Sequence, residues 1–390
     1  MALFCIAEHQ IACRQSTGRG WRVVALGLLC MAAGAAWGQP APGAATSAAS
    51  NAAVAGSAPA APVVVQVPRV QGRLRAADLG LVINSTDPYS VAVGEYYAQR
   101  RGLKPEQVLR VELPLRSSLR AEEFEALRAA IEAHFGDATQ ALALAWTQPY
   151  AVECNALTGA LALGFDAALC RQSCAPSRAS PYANSASVRP YSDHGLRPSM
   201  LLAARDVDMA KQLIDRGVAA DRSLGLRGGL PAQVLFLRTD DGARNVRARL
   251  YPPPGLLRRL GVQVQVESAG ELQPTERVLL VQTGSVRLPR VELLQWLDGG
   301  LADHLTSFGG VLGRDTGQST ALDWIAAGAT ASHGSVSEPC NHLQKFPHPQ
   351  WLLLHYLQGS TALEAYWKSV LWPQQSLFVG EPLAAPFARR

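Results

Sequence analysis

Each thing this chain lacks removes a class of protein. Beyond residue 38 no stretch approaches the roughly 18 consecutive apolar residues of a membrane-spanning helix, so no span is expected once an N-terminal signal is cleaved. Runs of Lys and Arg interleaved with aromatics are missing. A formal charge of +5 over 390 residues is also too small for a nucleic-acid footprint, which excludes nucleic acid as a partner. No internal repeat is present, and no linker-like segment divides the folded region. No second closely spaced Cys/His pair accompanies Cys340 and His342. A metal site needs three or four ligands, so neither a metal nor a cofactor is expected.

Cysteine is sparse too. Of seven, Cys5, Cys13 and Cys30 precede residue 39, leaving Cys154, Cys170, Cys174 and Cys340. An even count in an exported chain favours disulfides. Cys170 and Cys174 are close enough to pair, which would leave Cys154 for Cys340, but four cysteines allow three connectivities and spacing does not choose among them.

What is present begins with an export signal. Arg14, Arg19 and Arg22 precede an apolar run at 23–36, and Ala36-Trp37-Gly38 supplies a small-x-small cleavage site. Residues 1–38 therefore read as a signal peptide, and the mature chain as periplasmic or secreted. An Ala/Pro/Ser-rich stretch follows, with almost nothing to bury, and reads as a disordered linker over 39–70. Residues 71–390 form one elaborated domain, and a 48% hydrophobic composition is enough to give it a large core.

Within that domain short apolar runs alternate with amphipathic ones. A run at 79–83 ends in Asn84-Ser85-Thr86-Asp87-Pro88. Asp87 is a good N-cap and Pro88 a good first helical residue, so a helix is expected over 88–101, stopped by Gly102. A strand at 107–113, a helix at 121–135 and a strand at 141–146 follow. After an irregular, cysteine-containing insertion at about 154–198, the alternation resumes with strands at 200–204, 233–237, 262–266 and 278–282 and helices at 207–216 and 243–250. Arg244, Arg247 and Arg249 are expected on the solvated face of the last helix. The run from Asp303 to Glu338 is the most telling: two apolar strands, the second at 328–331, each break in a small, Gly-rich turn, with a helix at 319–327 between them. That is a βαβ unit, and parallel sheets bind ligands outside the carboxyl ends of their strands. Helices at 350–357 and 362–370 and a strand at 377–379 close the chain. The expected fold is α/β, a mostly parallel sheet with helices on both faces.

Candidate chemistry gathers at those strand ends. Asp303, His304 and Ser307 are residue types of nucleophilic hydrolysis, but neighbours on a strand point to opposite faces, so Asp303 and His304 cannot form a direct relay. His333, beside Gly334, is the best-placed general acid or base, although a histidine that only hydrogen-bonds at a strand end is the commoner outcome. Ser307 and Cys340 are the candidate nucleophiles, Cys340 with a disulfide as its plainer role. Asn84, Asp87 and Glu338 at strand ends, and Asp193 and His194 in the insertion just before a strand, are candidate ligand contacts, against the ordinary readings of cap, turn and solvated loop.

The motifs carry a resemblance. Asn84 to Asp87 followed by Tyr96-Tyr97-Ala98-Gln99-Arg100-Arg101-Gly102, then Leu305-Thr306-Ser307-Phe308-Gly309-Gly310, Gly328-Ala329-Thr330, Gly334-Ser335-Val336-Ser337-Glu338-Pro339-Cys340 and Val379-Gly380-Glu381-Pro382-Leu383 resemble a family of exported bacterial proteins of uncharacterised activity. More distantly, the C-terminal half is similar to the gingipain-like, caspase-related cysteine peptidases. Those enzymes carry His-Gly after one strand and a catalytic Cys after the next; here the places hold Gly284-Ser285 and Ser307-Phe308-Gly309. The resemblance implies the fold and argues against the peptidase activity. Two functions follow as expectations: a non-catalytic, peptidase-like fold that binds an envelope ligand or partner protein at the strand-end cleft, or a hydrolase using His333 with Ser307 or Cys340.

Overall fold

Asp87 starts the first long helix for local reasons. Its carboxylate accepts the amide of Tyr89 at 3.0 Å, Pro88 supplies the fixed φ of a first turn, and Gly102 ends the helix at φ +64°. Such signals fix most of the elements in this computed structural model, which describes residues 65–225 and 229–389. The expected signal peptide and the linker through residue 64 lie outside the described residues. Residues 65–70, expected as the end of the linker, are instead tied to the domain. Val65 and Val70 are buried, and Gln358 accepts from the Val70 amide at 2.8 Å while donating to Pro68 O at 3.1 Å.

In chain order the strands are β1 (Leu79–Asn84), β2 (Val108–Val111), β3 (Ser118–Leu119), β4 (Ala141–Leu144), β5 (Ala151–Val152), β6 (Asn155–Ala156), β7 (Ser199–Leu201), β8 (Ala232–Arg238), β9 (Gly255–Leu257), β10 (Val262–Ser268), β11 (Thr275–Gly284), β12 (Leu294–Leu305), β13 (Ala331–Ser335) and β14 (Ser376–Gly380). The helices are α1 (Pro88–Arg101), α2 (Ala121–His134), α3 (Leu157–Leu163), α4 (Ala167–Arg171), α5 (Pro190–His194), α6 (Val207–Ala220), α7 (Ala321–Ala326), α8 (Pro349–Leu357) and α9 (Ala362–Ser369). Eleven strands form one sheet in the order β2-β1-β4-β7-β14-β13-β12-β11-β8-β10-β9, and β3, β5 and β6 form a small second sheet. The blocks β2-β1-β4-β7 and β10-β8-β11-β12-β13 are parallel throughout, whereas β14 is antiparallel to β13. The fold is therefore α/β with a mostly parallel sheet.

Helices cover both faces. Arg216 of α6 donates to carbonyls at the end of α7 and just beyond it, at 2.9 and 2.7 Å, which places α6 beside α7 on one face. On the other, Tyr366 of α9 donates to Ala302 O and Ala331 O, and α8 packs on α9. Trp146, Trp324 and Trp367 are among the largest fully buried side chains.

Three expectations are corrected. The strand read at 328–331 lies later, as β13, because Ser332 and His333, which look like the start of a turn, find ladder partners on both sides in β12 and β14, and Gly334 pairs with Leu377 of β14. The insertion is less irregular than its composition suggests and holds β6 and the short helices α3, α4 and α5. The segment carrying Arg244, Arg247 and Arg249 is a 3-10 turn, Asn245–Leu250, and only Arg249 of the three is exposed; Arg247 is buried.

Candidate functional site at the carboxyl edge of the sheet

Strand register lines up one row of side chains. Phe236, Gln282, Asp303, His333 and Phe378 are successive cross-strand partners on β8, β11, β12, β13 and β14, so they share one face. Asp303 at the centre is fully buried. It pairs with Arg247, itself buried, and accepts from Gln282 Nε2 at 2.8 Å. Arg247 further donates to Pro347 O at 3.2 Å and Thr283 O at 2.8 Å. Burial pushes the Asp303 carboxyl up, partly opposed by the Arg247 guanidinium. A lone carboxylate here would be costly, and the arginine makes it tenable.

His333 is the next member of the row, and neither ring nitrogen has a hydrogen-bond partner among the described residues. Its ring lies 6.0 Å from Phe346 and 5.4 Å from Phe378, and burial, then the Arg247 charge, holds it well below the usual histidine range. Burial thus favours the neutral imidazole. Ser335, two residues on and so on the same face, also has an unpartnered hydroxyl, as does Gln282 Oε1.

The opposite face holds a histidine in a different condition. Trp324 Nε1 donates to His304 Nδ1 at 3.0 Å, which leaves the proton on Nε2, and Nε2 donates to Ser319 O at 3.0 Å. Both nitrogens are thus occupied, and burial lowers the pKa to about 4. Asp303 and His304 face apart, each with its own partners. Here β13 packs directly on the turn after β12: a β-carbon on Gly334 would run into the backbone of Gly309, and Gly310 N donates to Ser335 O at 2.9 Å. Gly334 and Gly310, whose β-carbons would each meet backbone of the other segment, are required by this approach rather than by any ligand.

A cover closes the edge. Ser376, at the start of β14, pairs with Ser335 at the end of β13, and Thr158 of α3 donates to Ser376 O at 2.6 Å, so the chain after β4 reaches the same end of the sheet as β13. Disulfides Cys154–Cys170 and Cys174–Cys340 bind this cover together. The arrangement Cys170–Cys174 with Cys154–Cys340 is not the one formed. Ser337 donates to Cys154 O at 2.6 Å, and Lys345, almost fully buried, donates to Ser173 O at 2.6 Å. Burial lowers the Lys345 pKa to about 8, with Glu338 opposing. With its sulfur in a disulfide, Cys340 is no thiolate nucleophile in this state.

The remaining candidates are dispersed. Ser307 sits half-buried just beyond β12. Glu338 caps its own turn by accepting from Cys340 N at 2.8 Å. Asn84 is fully engaged: its side chain accepts from Leu113 N at 2.9 Å and donates to Leu113 O at 3.1 Å, tying the end of β1 to the chain beyond β2. Asn84 and Asp87 also stand four strands from His333, about 19 Å at the usual strand spacing. Asp193 and His194 lie at the opposite end of the sheet, because α5 precedes β7 and its Ser192 amide donates to Gln140, which precedes β4. Their partners are local, Ser187 Oγ for Asp193 at 2.6 Å and Ser185 Oγ for His194 at 3.1 Å. These four residues therefore do not join the His333 site.

Sequence reasoning missed Arg247, Gln282 and Lys345. One signal was available for Arg247: in the Asn245–Leu250 turn it is flanked by Val246 and Ala248 and lies near two apolar strands. The partner that buries it, Asp303, is 56 residues away. Among the described residues no group of three or more His, Cys, Asp or Glu could hold a metal, and no helix is long and apolar enough to cross a membrane.

No family model and no curated protein matches the chain. Among solved structures it is similar to gingipain R, an Arg-specific cysteine proteinase, with 13% identity and a TM-score of 0.41 over 80% of this chain and 78% of that one. A likeness at that level carries nothing about activity.

Proposed function

We propose that this chain is an exported, non-catalytic protein with a peptidase-like scaffold, and that it binds an envelope ligand or partner protein at the carboxyl edge of its sheet. One observation carries the reading: among the described residues at that edge no nucleophile touches a base. His304 has both nitrogens occupied, His333 has no partner, and Cys340 is bonded to Cys174. Nucleophilic catalysis needs an oxygen or sulfur within hydrogen-bond reach of a base that is free to take its proton. Two disulfides together with the N-terminal signal support export.

A hydrolase using His333 and Ser307 is the alternative, and the unpartnered nitrogens of His333 favour it, since a base waiting for substrate would look the same. Serine- and cysteine-directed activity probes separate the two. No labelling of the mature protein is expected. Labelling of Ser307 that disappears in a His333→Ala variant would overturn the binding reading.

A further inference from the structure

The two disulfides hold different things. Cys154–Cys170 spans 16 residues and stays within the insertion, whereas Cys174–Cys340 spans 166 and fastens the insertion to the segment that roofs His333. That roof runs from Ser337, which bonds Cys154 O, through Lys345, which bonds Ser173 O, to Phe346, whose ring lies against His333. Cys174 is an exposed residue, reachable by another protein. Its partner Cys340 is held with the following Asn341 in the left-handed region, at φ +58° and +56°. Two consecutive non-glycine residues there are disfavoured and persist only where the surroundings hold them. Beneath the roof lie the groups without partners, both nitrogens of His333 and the hydroxyl of Ser335. Buried polar groups are mostly hydrogen-bonded, so a cluster without partners calls for an explanation such as a functional role.

We infer that Cys174–Cys340 is an exchangeable latch, and that a dithiol of the kind carried by thiol–disulfide oxidoreductases opens it, lifting the roof with its Lys345 from over His333 and Ser335. This concerns access to the edge assigned above as the binding site, and so rests on that reading. The chemistry is balanced by the dithiol alone. One of its thiolates attacks Cys174 Sγ, the bond to Cys340 breaks, and Cys340 leaves as a thiolate that takes a proton. The second thiolate then displaces Cys174 from the mixed disulfide. The protein gains two electrons and two protons, and the dithiol becomes a disulfide.

Lysine labelling reads the latch directly. The chain's lysines are Lys104, Lys211, Lys345 and Lys368; Lys104 is exposed, and Lys345 and Lys368 are buried, Lys368 in α9. The mature protein is treated with graded dithiothreitol, its free thiols are alkylated, its amines are acylated, and the sites are located by mass spectrometry. In the oxidised protein Lys345 is expected to be protected. Once Cys174–Cys340 opens, Lys345 labelling should rise to that of Lys104 while Lys368 stays protected, and a Cys174→Ser/Cys340→Ser variant should behave alike without reductant. Lys345 remaining protected after that bond opens would overturn the latch, and so would Lys368 becoming labelled along with it. A Cys154→Ser/Cys170→Ser variant that alone exposes Lys345 would overturn it as well. The measurement uses no ligand and no turnover, so its failure leaves the binding reading to its own test.

Discussion

Trp324 donates its indole N–H to His304 Nδ1 across 3.0 Å, and this bond decides which nitrogen of the buried imidazole carries the proton. Since Nε2 then donates to Ser319 O, the pair ties α7 to β12 and to the loop between them. A Trp324→Phe variant keeps most of the ring but leaves Nδ1 unpaired. The expected loss is about 1–3 kcal/mol, the usual consequence of orphaning one buried acceptor. Urea unfolding measures it; an unchanged midpoint would show that the hydrogen bond contributes nothing.

Four histidines make the fold sensitive to acid. Burial is the first cause in each, lowering His304 and His348 to about 4, His355 to about 3, and His333 well below its ordinary value. All four folded values lie below the unfolded value of 6.5. As pH falls through 6.5 the unfolded chain takes up protons that the folded chain refuses. Stability is therefore complete above that pH and is lost progressively toward 4, with each histidine adding up to about 1.4 kcal/mol per pH unit. Asp303 and Glu364, raised by burial, act in the opposite sense as pH nears the carboxyl range. The clean window lies between about pH 6.5 and about pH 5, and unfolding free energies across it should fall. A flat profile there would contradict the burial of these rings.

His333→Phe should stabilise the protein. The ring already packs against Phe346 and Phe378, and the change removes two unpartnered nitrogens. A gain on the order of 1 kcal/mol is expected, greater at low pH. A loss instead would mean that the imidazole finds partners in solution. If His333 serves the site, the stabilised variant should also lose binding, the usual exchange of function for stability.

The Arg247–Asp303 pair behaves asymmetrically. Asp303→Asn strands a buried guanidinium and should lower stability by about 3–5 kcal/mol, whereas Arg247→Met with Asp303→Leu should recover much of that. Thermal melts of the single and double variants decide it. Equal losses in both would show that the pair contributes through attraction rather than through mutual neutralisation.

How much of this could be read from the chain follows from where each cause lies. Helix α1 is legible to the residue because Asp87, Pro88 and Gly102 are local signals, and the strand–helix–strand order of β12–α7–β13, though not the bounds of β13, because apolar runs stop in glycine-rich turns. The place of His333 was off by half a strand because serine, histidine and glycine look like a turn until strands on both sides supply partners. Arg247 was misassigned because its burial depends on Asp303, far along the chain. Asp193 and His194 do stand just before a strand, as their place in the sequence suggests, but that puts them at the amino end of the sheet, away from His333. The pairing of four cysteines depends on the folded path of that same insertion.

β14 follows every other described strand in sequence yet lies between β7 and β13, in the middle of the sheet. Until those residues leave the ribosome, or the channel of an exporter, the growing protein has two half-sheets with facing raw edges and nothing to join them. Such edges invite pairing with other chains, and so distant a closure is slow. A polypeptide ending before Ser376 should therefore be a ready client for chaperones, since it lacks the strand that joins the two half-sheets.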